Sequence, residues 1–95
     1  MDKVKKYECH IDEEAKGAKK YAEKYIFYAD SKPEWAEMYR TMAKQEAGHA
    51  RMLHQMYQES VDEMRWVPED SLEQWEHCVA KMSEILALVE LMLTK

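Results

Sequence analysis

Apolar residues recur at helical spacing over almost the whole of this chain, and this periodicity restricts the fold more than any other feature. Three stretches show it, each with apolar positions three and four residues apart. Only two glycines and two prolines occur among the 95 residues, so little of the chain suits tight turns or hairpins. The pattern predicts an all-α chain of three helices that forms one domain over residues 1–95.

Two proline-containing segments separate the predicted helices. In DSKPEW, Ser31 is a predicted N-cap of a capping box and Pro33 lies in the first turn. In WVPEDSLEQW, Pro68 precedes a second predicted capping box, with Asp70 or Ser71 as its cap and Gln74 completing it. The breaks predict helices at roughly 9–30, 33–65 and 70–94. Because the connections are short, the first two helices should form an antiparallel hairpin, to which a third, C-terminal helix is added.

Each predicted helix has a stripe expected to face a dry interior. The first stripe comprises Ile11, Glu14, Ala18, Tyr21, Tyr25 and Tyr28. The second comprises Trp35, Met38, Met42, Glu46, His49, Leu53 and Met56. The third is wholly apolar and comprises Leu72, Trp75, Val79, Met82, Leu86, Val89 and Leu93. The second helix would extend for about 50 Å, which is longer than a small domain needs and favours a partner chain.

Three polar residues interrupt the first two stripes. Glu14 shares a helical face with Tyr21, seven residues later, whereas Glu13 points about 100° away. Glu46 and His49 are three residues apart and therefore adjacent on the second helix. A buried carboxylate is costly unless it is neutralised, and no lysine or arginine shares either stripe nearby. A metal ion is the simplest source of the positive charge.

Carboxylate and imidazole ligands together suit iron, manganese or zinc better than calcium. The E-x-x-H spacing is weakly specific by itself. An alternative is a polar core layer, in which Glu46 and His49 hydrogen-bond to each other or to Tyr21 or Tyr25. The residues alone leave both interpretations open.

Two motifs resemble those of the ferritin-like superfamily, especially its rubrerythrin-type and encapsulated half-ferritin branches. They are EEAKGAKKY, in which Glu14 precedes Tyr21 by seven residues, and MAKQEAGHA, which contains E-x-x-H-A. The resemblance extends over about residues 10–57. It implies a di-iron carboxylate site with Glu14, Glu46 and His49 as metal ligands and catalytic residues, and oxidation of Fe²⁺ by O₂ or peroxide.

The resemblance also implies a homodimer or a higher homo-oligomer. Sites of this family take a Glu from each of two helices and a Glu-x-x-His from each of two others, and this chain carries one such half. A second protomer would supply the other half about a two-fold axis and complete a four-helix bundle. Gly48 would let the partner helix approach closely. Four carboxylates would then balance two divalent cations, with iron as the expected metal and manganese or zinc as alternatives.

The third helix departs from the half-ferritin pattern, because it is long and apolar where a short tail is expected. The terminal LMLTK does not resemble a nanocompartment-targeting peptide, so storage of iron inside a shell is not expected. The same helix supports a second hypothesis: an oligomerisation or scaffold module that keeps the fold with little or no catalysis. Zinc-dependent hydrolysis is disfavoured, since no general base lies beside an open zinc position.

Composition argues against several other functions. The formal net charge is −5 and no basic face stands out, so a nucleic-acid partner is not expected. The most apolar run, ILALVELML, is nine residues long and contains Glu90, so no membrane span is expected. The N-terminus has no apolar region typical of a signal peptide, which favours a cytoplasmic location. Cys9 and Cys78 form no C-x-x-C pair and are predicted to be reduced, incidental thiols.

Overall fold

A computed structural model describes residues 3–95, and this part of the chain folds into three α-helices without a β-strand. The helices are α1 (Lys3–Tyr28), α2 (Pro33–Asp62) and α3 (Glu69–Leu93). The all-α prediction is therefore confirmed, with three helices in the predicted order. None of the three, across the described residues, combines the length and the apolar character that a membrane-crossing helix requires.

The first two helices form the predicted antiparallel hairpin. Near one end of the hairpin, the hydroxyl of Tyr7 in α1 lies 2.9 Å from Oγ of Ser60 in α2. Near the other end, the rings of Tyr28 and Trp35 meet edge to face, with centroids 5.4 Å apart. The backbone N–H of Lys32 donates to the carbonyl of Tyr28 at 2.9 Å and so closes the short connection between the helices.

The third helix returns alongside α1 and runs parallel to it. The Sγ atom of Cys78 lies 3.8 Å from the carbonyl oxygen of Glu8, and the hydroxyl of Tyr25 donates to the carbonyl of Lys95 at 3.3 Å. Each pair is 70 residues apart in sequence, which is the signature of two parallel helices in constant register. α1 is therefore the central helix and contacts both of the others, whereas α2 and α3 touch only lightly.

Small residues on the hairpin and large residues on α3 build the core. The buried residues of α1 are Val4, Ile11, Ala15, Ala18 and Ala22. Those of α2 are Ala36, Ala43, Ala47, Ala50 and Val61. Those of α3 are Trp75, Met82, Leu86, Val89 and Leu93, all members of the predicted stripe. Alanine side chains allow α1 and α2 to approach closely, and α3 fills the remaining volume.

The predicted interior stripe of α2 is wrong for a single chain. The stripe puts Trp35, Met38 and Met56 on the dry face, yet their side chains are 46%, 65% and 58% exposed. The face that packs against α1 is the neighbouring one, which carries the alanines. Large apolar side chains dominate a hydrophobic periodicity, so the pattern indicates the methionine face of α2. Close packing of two helices instead favours the face with small side chains.

The predicted helix ends also need correction. α1 begins at Lys3 rather than near residue 9, because Val4 lies seven residues before Ile11 and is buried on the same face. α2 ends at Asp62, three residues before the predicted end at residue 65. After Asp62 the chain turns toward α3. The predicted extension of α1 to residue 30 is two residues too long.

The two predicted capping boxes do not lie at the N-cap positions of α2 and α3. Lys32 is the N-cap residue of α2 and Pro68 that of α3, and neither makes a side-chain cap hydrogen bond. Ser31 lies one residue too early to cap, and Asp70 lies inside the first turn of α3. The position of Pro33 is confirmed: it lies in the first turn of α2, where a missing N–H is harmless.

Candidate metal centre

Antiparallel packing of α1 and α2 places the middles of the two helices opposite each other, and this brings the three predicted ligands together. Glu14 comes from α1, and Glu46 and His49 come from one turn of α2. Each side chain offers one ligand atom, and these three atoms all lie within 4.8 Å of one another. Within residues 3–95 no other group of three or more His, Cys, Asp or Glu residues converges in this way.

One nitrogen of the His49 imidazole lies near both carboxylates. This atom, Nδ1, is 3.8 Å from Oε2 of Glu14 and 3.6 Å from Oε1 of Glu46. The side chains of Glu14 and Glu46 are 22% and 28% exposed, while that of His49 is 57% exposed. In a single chain the cluster is therefore partly exposed to solvent. The predicted dry site would need a second surface to cover it.

One oxygen of the cluster lacks any partner. Oε2 of Glu14 is inaccessible to solvent, and it accepts no hydrogen bond from the described part of the protein. Leaving a buried acceptor unsatisfied costs about 1–3 kcal/mol, and more when the group is charged. The ion-pair partners that the structure gives to Glu14 are the imidazoles of His10 and His49, both beyond hydrogen-bonding distance.

The two carboxylates also affect each other's protonation. Hydrogen bonding to Glu14 raises the pKa of Glu46 above its ordinary value of 4.5, and partial burial and the negative charge of Glu14 add to the increase. Without a cation, the protonated Glu46 is therefore the form that can donate to Glu14. A bound cation would replace this proton and allow both groups to ionise.

The donor atoms fit a transition-metal ion. Ligands about 2.1 Å from such an ion are about 3.0 Å apart at a right angle and about 3.4 Å apart at a tetrahedral angle. The spacings of 3.6 and 3.8 Å around His49 exceed the tetrahedral value by a few tenths of an ångström, which small side-chain rotations can supply. Two carboxylates and a neutral imidazole carry a charge of −2, which balances one divalent cation per chain.

A glycine in α1 makes room for Glu46. A Cβ atom added at Gly17 would lie 3.2 Å from Oε2 of Glu46, so the absence of a side chain there lets the carboxylate lie against α1. Gly48 differs, because a Cβ atom at that position would meet no atom of this chain within 4 Å. Its predicted role in the approach of a partner helix therefore stays a prediction.

Sequence reasoning missed His10 and Tyr57. Nε2 of His10 lies 3.7 Å from Oε1 of Glu14, and Nδ1 of the same ring lies 2.6 Å from the hydroxyl of Tyr57. The spacing could have indicated His10 as a neighbour of the cluster, because it lies four residues before Glu14 and hence one turn away on α1. The tyrosines considered instead are engaged elsewhere: Tyr21 stacks on Tyr39, and Tyr25 donates to the terminal backbone.

The two cysteines are free thiols on the opposite side of α1, where they face a groove of about 480 Å³ between α1 and α3. Cys9 is exposed and Cys78 is half-buried. Burial raises the pKa of the Cys78 thiol to about 11, and the negative charges of Glu8 and Asp12 contribute. Such a thiol is protonated and unreactive at neutral pH.

Comparison of the chain with family models, with curated proteins and with solved structures gives no match. The ferritin-like resemblance thus stays an interpretation of two motifs.

Proposed function

We propose that this chain is a ferritin-like metal-binding protein, in which two protomers share a di-iron carboxylate site that oxidises Fe²⁺. The observation that carries the proposal is the unpartnered, solvent-inaccessible oxygen of Glu14, which faces the ligand atoms of Glu46 and His49. A cation at this point would satisfy the oxygen, favour the ionised form of Glu46 and balance the charge of the two carboxylates. The two resembling motifs supply the same three residues independently.

The surface around the cluster supports a dimer. Exposed methionines continue from the cluster along α2 in both directions, and the spacing of Met38, Met52 and Met56 puts them on the face that carries His49. Large apolar side chains clustered on one face of a soluble chain mark an interaction surface. A second copy placed there would cover the methionines and bring a second set of Glu14, Glu46 and His49 to the open side of the first.

Iron enters the proposed reaction as substrate. Two Fe²⁺ ions give one electron each to O₂, which takes up two protons and leaves as hydrogen peroxide while the ions become Fe³⁺. The carboxylates of Glu14 and Glu46 favour this change, because anionic oxygen ligands stabilise the higher charge of the ferric ion more than that of the ferrous ion. His49 would hold the ion by a neutral nitrogen, so the two carboxylates balance the ferrous ion and leave one excess positive charge on the ferric form.

The test is aerobic Fe²⁺ oxidation, followed by the growth of ferric absorbance in the near ultraviolet. The wild-type chain should oxidise iron faster than buffer alone, and Glu46→Ala should reduce the rate to the buffer value. Glu13→Gln is the matched control, because Glu13 is exposed and neighbours a ligand without joining the cluster. Equal rates in wild type and Glu46→Ala would reject the proposed function.

A second candidate is a helical scaffold module without turnover. It is favoured by Leu88 and Leu91, which lie one turn apart on α3 and are both exposed. A module of this kind would associate through α3 rather than through the methionine face of α2. Loss of self-association in Leu91→Glu, with retention in Met38→Glu, would support it over the shared metal site.

A further inference from the structure

His10 lies beside the cluster of Glu14, Glu46 and His49 but outside it. Its Nε2 atom is 3.7 Å from Oε1 of Glu14, whereas the other oxygen of that carboxylate, Oε2, faces His49 at 3.8 Å. The two oxygens of one carboxylate therefore face two different imidazoles. A carboxylate in this arrangement can bind a cation at each oxygen.

Tyr57 fixes the orientation of the His10 ring. Its hydroxyl is 2.6 Å from Nδ1 of His10, and its own ring stacks on Tyr7 with centroids 4.0 Å apart and planes 9° from parallel. The hydroxyl of Tyr7 is held in turn by Ser60, at 2.9 Å. When Nδ1–H donates to the phenol oxygen, the lone pair of Nε2 points toward Glu14. Metal-binding histidines commonly make such a second hydrogen bond.

We propose that His10 and Oε1 of Glu14 bind a second divalent cation next to the one held by Glu14, Glu46 and His49. The inference rests on the proposed function, because Glu14 belongs to both positions. His10 is assigned to a separate position because the set of mutually close ligand atoms contains Glu14, Glu46 and His49 but not His10. We call the new position the outer site and the three-residue cluster the inner site.

The outer site is built for weaker and faster binding than the inner site. Two protein ligands leave most of the coordination shell to water, and the side chain of His10 is 46% exposed. Its donor spacing of 3.7 Å is only a few tenths of an ångström above the separation of two ligands at a tetrahedral angle on one ion. A nitrogen and an oxygen donor select borderline divalent ions such as Fe²⁺, Mn²⁺ and Zn²⁺. The outer site would bind such ions from solvent, at a position next to the inner site.

The experiment is a calorimetric Zn²⁺ titration of the full chain. Wild type should bind two ions per chain, the second about 10-fold or more weakly than the first. His10→Ala should lose only the weaker event, and Glu46→Ala only the tighter one. Tyr57→Phe should weaken the outer site about 10-fold, because the orienting hydrogen bond is lost. His77→Ala is the matched control, since this exposed histidine lies on α3 in the opposite groove, and it should keep both events.

Nitrogen-detected NMR of the imidazoles adds a readout that does not depend on fitting isotherms. In the Glu46→Ala variant, Zn²⁺ should still shift the Nε2 resonance of His10, and Tyr57→Phe should diminish that shift at equal Zn²⁺. One binding event in wild type, or an unshifted His10 nitrogen at saturation, would overturn the outer site while leaving the inner site intact. Absence of any Zn²⁺ binding by wild type would instead overturn the proposed function, and with it the outer site.

Discussion

Replacing Glu46 by glutamine should make the metal-free protein more stable while it abolishes metal binding at the inner site. The ligand oxygens of Glu14 and Glu46 lie within 4.8 Å of each other. Two full charges at this separation repel by about 1 kcal/mol at the dielectric constant of water, and by about 3.5 kcal/mol at an effective value of 20. Both carboxylates are partly exposed, so we expect the free energy of unfolding to rise by about 1–2 kcal/mol at pH 8.

The pH dependence follows from the raised pKa of Glu46. The folded chain retains the Glu46 proton at pH values where the unfolded chain, with an ordinary pKa near 4.5, has lost it. The contribution of Glu46 to stability therefore falls as the pH rises from about 4.5 through the raised folded-state pKa, and the penalty is complete above that value. In Glu46→Gln this fall should vanish, because the amide does not titrate and its N–H can donate to the unpartnered oxygen of Glu14.

Urea denaturation in the presence of a chelator, repeated between about pH 4 and pH 8, measures both effects. Glu13→Gln is the control and should keep the wild-type pH dependence, with a change in stability within about 0.5 kcal/mol. Added Zn²⁺ should raise the melting temperature of wild type more than that of Glu46→Gln, which keeps only the weaker outer site. Two results would refute repulsion between the two carboxylates. One is a metal-free Glu46→Gln that is less stable than wild type at pH 8, and the other is a loss of stability with rising pH that is as large in Glu46→Gln as in wild type.

Four further predictions use other parts of the chain. Glu14→Gln should abolish Zn²⁺ binding in calorimetry, whereas Glu13→Gln should bind normally; matching isotherms would contradict the register of α1. Gly17→Ala should increase metal-free stability by up to about 1 kcal/mol, by helix propensity, yet weaken Zn²⁺ binding because the new Cβ displaces the carboxylate of Glu46. Sedimentation at micromolar concentration should show Zn²⁺ increasing the dimer fraction of wild type, by mass action, and a metal-bound monomer at all dilutions would exclude a shared site. Alkylation of Cys78 at pH 8, followed by peptide mass spectrometry, should be roughly 100-fold slower than that of a thiol with the ordinary pKa of 9.0, and comparable rates would contradict the raised value.

The helices and the convergence of the inner site could be predicted, because both follow from periodicity. A helix of constant pitch puts residues three and four apart on one face, so Glu46 and His49 had to be neighbours. A short connection makes two helices antiparallel, so the middle of α1 had to face the middle of α2, and with it Glu14. The three ligand atoms lie within 4.8 Å of one another as a consequence.

The helix ends and the contacts of His10 could not be predicted with the same rules. A cap depends on the backbone angles of one residue, and here the turn before Pro33 placed Lys32, rather than Ser31, at the first position. The contact of His10 with Tyr57 spans 47 residues and depends on how far α2 is shifted along α1. Periodicity fixes the face on which a residue lies but not this axial shift, since a displacement by one turn preserves every face.

The wrong interior face of α2 has a physical cause that bears on the site. This helix has two faces suited to packing: the alanine face used against α1, and the methionine face left exposed in one chain. Periodicity detects both, because each repeats at helical spacing, but it cannot tell which one packs within the chain. Glu46 lies at the border between them, so its carboxylate contacts α1 through the space at Gly17 while the neighbouring His49 remains open to solvent. On the proposed dimer this border becomes the junction of three helices, and ligands placed there can be contributed by both chains.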